Sequence, residues 1–144
     1  MEKTMSDNLT RREITEGVFL LLFQSDLSGI EIEETAGACE EAYEMTVSPE
    51  MISTAKAVAE KYEELDAIIG QYSVKRAVSR ISEVNKTILR LALFEINYRS
   101  DRIPPKGAVN EAIELSKKYA EKQDSSFING VLGNYIKAVG KDAG

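Results

Sequence analysis

The sequence contains two groups of cationic residues whose types and spacing could bind a ligand. An aromatic residue precedes the second group, and the full set is Arg11, Arg12, Tyr72, Lys75, Arg76 and Arg80. Single-stranded RNA is bound by cations that follow its phosphates and by planar groups on which its bases stack. The set therefore predicts a polyanion-binding surface, provided that the two groups lie side by side in the fold.

Catalytic and metal-binding residue types are scarce. The sequence has no histidine, which is the commonest general base and the commonest metal ligand. With a single cysteine, the usual structural zinc sites are excluded. No glycine-rich phosphate-binding loop is present. We therefore expect no catalytic residues, no metal site and no cofactor.

The net charge of −6 conceals an asymmetry between the two halves of the chain. Residues 1–72 contain 16 acidic and 5 basic side chains, whereas residues 73–144 contain 8 acidic and 13 basic ones. The first half therefore carries −11 and the second +5. Such an asymmetry indicates a polyanion-facing surface on the basic half, although differently charged solvent-exposed helix faces would produce it equally well.

The composition and the N-terminus predict a cytoplasmic protein. A chain of 144 residues suits one domain, and its apolar runs are much shorter than a membrane-spanning helix. The first ten residues are polar and lack the apolar core of a signal peptide. Cys39 is the only cysteine and cannot form an internal disulfide, which agrees with a reducing compartment. We expect Cys39 to be a small buried side chain.

Apolar spacing and helix-end signals predict an all-α fold. Seven helices are expected, at about residues 10–25, 30–44, 48–69, 74–81, 82–99, 108–122 and 124–140. No segment alternates with period two for long enough to indicate a strand. The change of charge sign near residues 70–74 predicts two small helical subdomains. They are an acidic one over 10–72 and a basic one over 73–144, preceded by a frayed or disordered tail over 1–9.

The helix over 82–99 is apolar on nearly all sides, which is typical of a buried helix. Arg90 and Glu95 lie inside it, and burial of an unpaired charge is costly. Five residues correspond to about 140° around a helix, so these two side chains do not pair with each other. We expect Arg90 to meet a carboxylate on another helix, for which Glu111 is a candidate.

Four blocks in the second half form a recognisable series: Ile88–Glu95, Ile103–Lys106, Val109–Lys117 and Phe127–Gly133. In their order, and nearly in their spacing, these blocks resemble the NusB family of transcription antitermination factors. The segment from Thr10 to Gln24 is similar to the arginine-rich first helix of the family. Residues 26–70 match only in helical character. The resemblance implies a NusB-like helical bundle and no catalysis.

The resemblance also implies partners. Family members bind boxA RNA together with NusE, a ribosomal protein that doubles as a transcription factor. Through that complex they act indirectly on RNA polymerase with other Nus factors, and they suppress premature termination, chiefly in ribosomal RNA operons. The composition is also compatible with a homodimer.

The residue-by-residue resemblance assigns roles to both cationic groups. Arg11 and Arg12 match the first-helix arginines that contact RNA. Arg76 matches an RNA-facing position before the central helix, and Tyr72 or Ser73 lies where the family often has an aromatic residue. Lys75 and Arg80 would add charge there.

The resemblance places partner contacts at Phe23, Asn85 and Lys86, where Asn85 replaces a family acid that faces NusE. A lysine that many members have just before Phe127 is missing from this chain.

A second function class remains open from the sequence. It is a helical protein-interaction adaptor without RNA binding of its own. The acidic first half supports it, as do Glu13 and Thr15, which stand where many family members have further basic residues.

Overall fold

The computed structural model describes residues 9–74 and 76–140, and all regular structure in these ranges is helical. The helices are α1 (Arg11–Ser28), α2 (Ile32–Tyr43), α3 (Pro49–Ala59), α4 (Tyr62–Tyr72), α5 (Glu83–Tyr98), α6 (Pro105–Tyr119) and α7 (Asp124–Val139), with a 3₁₀ turn at Val78–Arg80. The prediction of an all-α fold of about seven helices is confirmed. The tail predicted over 1–9 falls, apart from residue 9, outside the described residues.

The first compact unit ends at Glu60 and contains α1, α2 and α3. A capping box begins α1: the Glu13 amide donates to the Thr10 hydroxyl at 3.1 Å, and the Thr10 amide donates to the Glu13 carboxylate at 2.9 Å. The middle of α1 is fully buried, and Gly17 lets it approach α3 so closely that an added Cβ would overlap Met51. α1 is therefore the central helix of this unit.

The second unit begins at Lys61 and is built around α5, which contacts α4, α6 and α7. Every residue from Thr87 to Ile96 is buried, including Arg90 and Glu95. Ser82 caps this helix by accepting from the Asn85 amide at 3.2 Å. The central buried helix predicted over 82–99 is thus confirmed.

The helix predicted over residues 48–69 is wrong, because two helices replace it. α3 ends at Ala59 and α4 starts at Tyr62, with Lys61 in a non-helical conformation (φ −105°, ψ 10°). α3 packs on α1 and α2, whereas α4 packs on α5 and α7. The apolar residues on either side of Lys61 thus belong to different units. The units consequently meet in sequence between residues 60 and 61, not between 72 and 73 as predicted.

Arg90 is paired with carboxylates of α4 and α5. Its Nε and Nη2 donate to the two oxygens of Asp66 at 2.8 Å each, and its Nη1 lies 3.7 Å from a Glu83 oxygen. The guanidinium also lies over the Tyr62 ring, 4.0 Å from its centroid. The forked geometry of arginine explains the paired contact with one carboxylate.

Among the described residues between α4 and α5, the only helical part is the 3₁₀ turn at Val78–Arg80, so the prediction of a helix over 74–81 is wrong. The Ser73 hydroxyl donates to the Arg76 carbonyl at 2.7 Å, which replaces a helical hydrogen bond with a local turn. Within the residues described, no helix is long and apolar enough to cross a bilayer.

Candidate nucleic-acid interface

A groove of about 390 Å³ opens in the second unit between α7 and the segment that follows α4. Its lining combines aromatic, cationic, amide and hydroxyl side chains with one glycine. These residues are Tyr72, Ser73, Val74, Arg76, Gln123, Ser126, Phe127, Gly130, Val131 and Asn134. Of the predicted RNA-binding residues, the structure places Tyr72 and Arg76 together in this groove.

Arg76 lies over Phe127, with its guanidinium carbon 4.2 Å from the ring centroid. An arginine over an aromatic face is held by a cation–π interaction and keeps its donors available at the edges of its plane. The Ser73 hydrogen bond to the Arg76 carbonyl fixes the turn that carries this side chain. The pair therefore offers a flat, positively charged surface.

Tyr72 ends α4 and contacts Tyr135 of α7 edge to face, with ring centroids 5.4 Å apart and an interplanar angle of 73°. The Tyr135 hydroxyl donates in turn to the side-chain Oδ1 of Asn97 at 2.7 Å. These contacts join α4, α5 and α7 and hold the Tyr72 ring at the groove. Its phenol has no hydrogen-bond partner within the described part of the chain.

Arg80, Arg11 and Arg12 do not line the groove. Arg80 is exposed at the end of the 3₁₀ turn, and Lys75 lies outside the described residues. In the first unit, Arg11 is 3.6 Å from a Glu50 oxygen, whereas Arg12 is exposed and makes no ion pair with a described residue. A single surface formed by both cationic groups stays a prediction.

The three predicted partner contacts differ in exposure. Phe23 is half-buried and stacks on Phe19 with centroids 5.8 Å apart. The Lys86 side chain is 19% exposed and lies 3.6 Å from a Glu83 oxygen. Asn85 is only 1% exposed, and its Oδ1 lacks a hydrogen-bond partner in the described structure. The start of α5 directs the Asn85 side chain inward, and its contact with a partner stays a prediction.

Several groove residues were not predicted from the sequence as site residues. Phe127 was named only as the start of a family block, and Gln123 and Asn134 had no assigned binding role. A signal was available in α7, since residues 123, 127, 130 and 134 recur at helical spacing on one face. Among the described residues, no cluster of His, Cys, Asp and Glu could hold a metal ion.

Comparison with known proteins gives the same family as the sequence blocks. The family model described as "NusB family" matches residues 12–137. A transcription antitermination protein NusB from Desulforamulus reducens is 38% identical over 130 residues, which cover 88% of this chain and 89% of that protein.

Solved structures agree. A NusB structure from T. maritima has a TM-score of 0.77 at 26% identity and covers 90% of this chain and 92% of that one. A NusB chain crystallised with NusE and double-stranded RNA has a TM-score of 0.72 at 27% identity, covering 89% of this chain and 96% of that one. With its fold, its groove and these similarities, the chain belongs to the NusB family.

Proposed function

We propose that this protein is a transcription antitermination factor that binds boxA-type single-stranded RNA together with NusE. It would suppress premature termination, chiefly of ribosomal RNA operons, in a complex with RNA polymerase and other Nus factors. Support comes from relatives named as transcription antitermination proteins and from a structural neighbour whose NusB chain is in complex with NusE and RNA.

The observation that carries the RNA-binding part is the groove that unites Tyr72, Arg76 and Phe127. Unpaired bases stack on aromatic rings and on guanidinium planes, and each such contact adds about 1–3 kcal/mol in single-strand binders. The cationic head of Arg76 would also contact phosphate. The groove thus contains both kinds of group that a single strand requires.

Single-stranded RNA is preferred over a duplex because stacked and paired bases cannot enter a groove of this kind. The structural neighbour contains double-stranded RNA, so a duplex arm belongs in any test. Equal affinity for a single strand and its duplex would indicate that only phosphates are bound.

Charge complementarity and coupled binding support NusE as a partner of this protein. The first unit is strongly acidic and would attract a basic ribosomal protein over a long range. If NusE adds its own RNA contacts, it raises the RNA affinity of this protein, and RNA raises the affinity for NusE by the same factor.

The test is a fluorescence-anisotropy titration of boxA-type RNA, single-stranded and duplex, with and without NusE. Arg76→Glu should weaken single-strand binding at least tenfold, because it removes the stacking plane and adds a repelling charge. Arg102→Glu is the matched control, since Arg102 is exposed in the same unit and does not line the groove. Both variants should melt like the wild type.

Equal effects of the two charge reversals would contradict a specific site in the groove. Absence of RNA binding by the wild type, with and without NusE, would contradict the proposed function as a whole.

One observation supports the alternative function, a protein-interaction adaptor without RNA binding of its own. A cleft of about 380 Å³ in the first unit is lined by Glu31, Glu33 and Glu60 around Lys56, whose Nζ lies 2.8 Å from a Glu33 oxygen. Three carboxylates around one cation favour a basic protein segment over RNA. Binding of NusE without any RNA binding in the titration above would support this second function.

A further inference from the structure

The carboxamide of Asn134 lies at one end of the groove. The residue is exposed on α7 and lines the groove together with Tyr72 and Gly130. Its amide makes no hydrogen bond to any residue among 9–74 and 76–140. Neither helix capping nor packing in the described structure accounts for this side chain.

Asn134 and the Arg76–Phe127 pair are too far apart to contact one base. Asn134 follows Phe127 by seven residues, which is two turns and about 10 Å along α7. Tyr72 is the aromatic residue at the Asn134 end, because its ring contacts Tyr135, the next residue of α7. The groove therefore has two ends, each with a planar group.

Gly130 lies between the two ends and presents bare backbone to the groove. A Cβ added there would meet no atom within 4 Å, so no contact in the described structure demands glycine. Glycine weakens a helix interior, and a common reason to keep it is the close approach of another molecule. The position suits a strand that passes along α7 from one end of the groove to the other.

The chemistry of a free carboxamide indicates what the Asn134 end could select. An amide offers a donor and an acceptor side by side, and this pair matches the N6 amino group and N7 of adenine. The only other carboxamide among the described residues that line the groove is that of Gln123, which precedes α7 at the Phe127 end, eleven residues before Asn134. The Tyr72 phenol, at the Asn134 end, does not offer such a pair in one plane.

We propose that Asn134 makes the groove base-selective by a two-hydrogen-bond contact to adenine in single-stranded RNA, while Tyr72 supplies the adjacent stacking ring. This inference rests on the proposed RNA-binding function and adds a specificity-determining residue to it.

The test compares a 12-nucleotide oligo(A) with a 12-nucleotide oligo(U) by fluorescence anisotropy, with the full chain in the presence and absence of NusE. Asn134→Ala should weaken oligo(A) binding about tenfold and oligo(U) binding less than twofold. Asn129→Ala is the control: Asn129 is exposed on the same helix and lies outside the groove, so it should change neither affinity.

A second variant tests the hydrogen-bond pattern. Asn134→Asp keeps the size but can only accept, so it should lose the preference for oligo(A) and gain affinity for a 12-nucleotide oligo(C), whose amino group donates. A neutral outcome for both Asn134 variants, with a loss in Arg76→Glu, would overturn base selection and leave the proposed function standing. No binding of any strand by the wild type would overturn both.

Discussion

Arg90 is a buried cation whose carboxylate partners should contribute to the stability of the protein. It is buried in α5, and its charge is balanced by Asp66 across the helix interface and by Glu83 about two turns earlier in α5. The Arg90 side chain is 10% exposed and that of Asp66 is 32% exposed. Loss of one partner would leave a cation with most of its hydration removed.

Asp66→Asn should lower the free energy of unfolding by about 1–2 kcal/mol, a value reduced from that of a fully buried pair because Asp66 is partly solvated. Urea denaturation followed by circular dichroism measures the change. Glu63→Gln is the control on the exposed side of α4 and should stay within about 0.5 kcal/mol. Equal stability of both variants would show that the forked contact does not stabilise the protein.

The stability that Tyr98 contributes should depend on pH through its contact with Glu64. Its phenol donates to the two Glu64 oxygens at 2.6 and 2.9 Å, and this bond, more than partial desolvation, raises the pKa of Tyr98 above its usual value. The neutral phenol is the stabilised form. Its contribution to stability is therefore complete below the ordinary tyrosine pKa and is lost as pH rises through the raised one.

Ultraviolet titration of tyrosinate, with Tyr98→Phe used to assign the signal, should show Tyr98 ionising at higher pH than free tyrosine. Glu64→Gln should move that titration back toward the ordinary value, whereas Glu63→Gln should not. If the Tyr98 signal stays in place in Glu64→Gln, the carboxylate is not the cause of the raised pKa.

Capping residues determine where the helices of this protein start. Ser48 is the N-cap of α3, and its hydroxyl accepts from the Met51 amide at 3.2 Å. Ser48→Ala should lower the unfolding free energy by about 1 kcal/mol, the usual loss for a capping serine. Ser53→Ala, in the exposed middle of the same helix, should be nearly neutral. Thermal melts of the two variants measure the difference, and a reversed order would contradict the cap.

Cys39 reports on the packing of α2 against α1. Its side chain is fully buried, its Sγ lies 3.8 Å from the Leu20 carbonyl, and desolvation raises the pKa of the thiol. Because the thiolate is the reactive form, a disulfide-exchange reagent should label Cys39 slowly in the native protein and rapidly in denaturant. Rapid native labelling would mean that α2 detaches from α1.

The sequence was sufficient for most helices because their caps and apolar faces are local signals. Ser48 and Pro49 marked the start of α3, and the apolar residues of α5 marked its burial. It was insufficient at Glu60 and Lys61, because no glycine or proline marks the break between α3 and α4. That break follows from apolar faces that pack on different helices, which is a tertiary effect.

The groove was only partly predictable for the same reason. Tyr72 and Arg76 were identified from residue type and family resemblance, whereas Phe127 and Asn134 are distant in sequence and join them only through the packing of α4 on α7. The burial of Asn85 was not predicted, because a resemblance at one position gives no information on the exposure of a substituted side chain.

The whole molecule combines an acidic first unit with a basic second half, and this distribution limits how strongly RNA can be held by charge. The cations available are few, so we expect RNA affinity to fall only modestly with salt. For single strands the slope of log affinity against log salt is about −0.7 per phosphate neutralised. Three or four contacts would give a slope of about −2 to −3.

The same slope tests whether the arginines of the first unit share the RNA surface with the groove. Replacing Arg11 and Arg12 by glutamine should reduce the slope by about 1.4 if both contact phosphate, because two neutralised phosphates are lost. Replacing Lys117 and Lys118, which are exposed on α6, should leave the slope unchanged. One outcome is that the glutamine double variant of Arg11 and Arg12 keeps the wild-type salt slope while Arg76→Glu lowers RNA affinity. That result would show that the groove binds RNA without the first helix. The common surface predicted from the sequence would then be wrong.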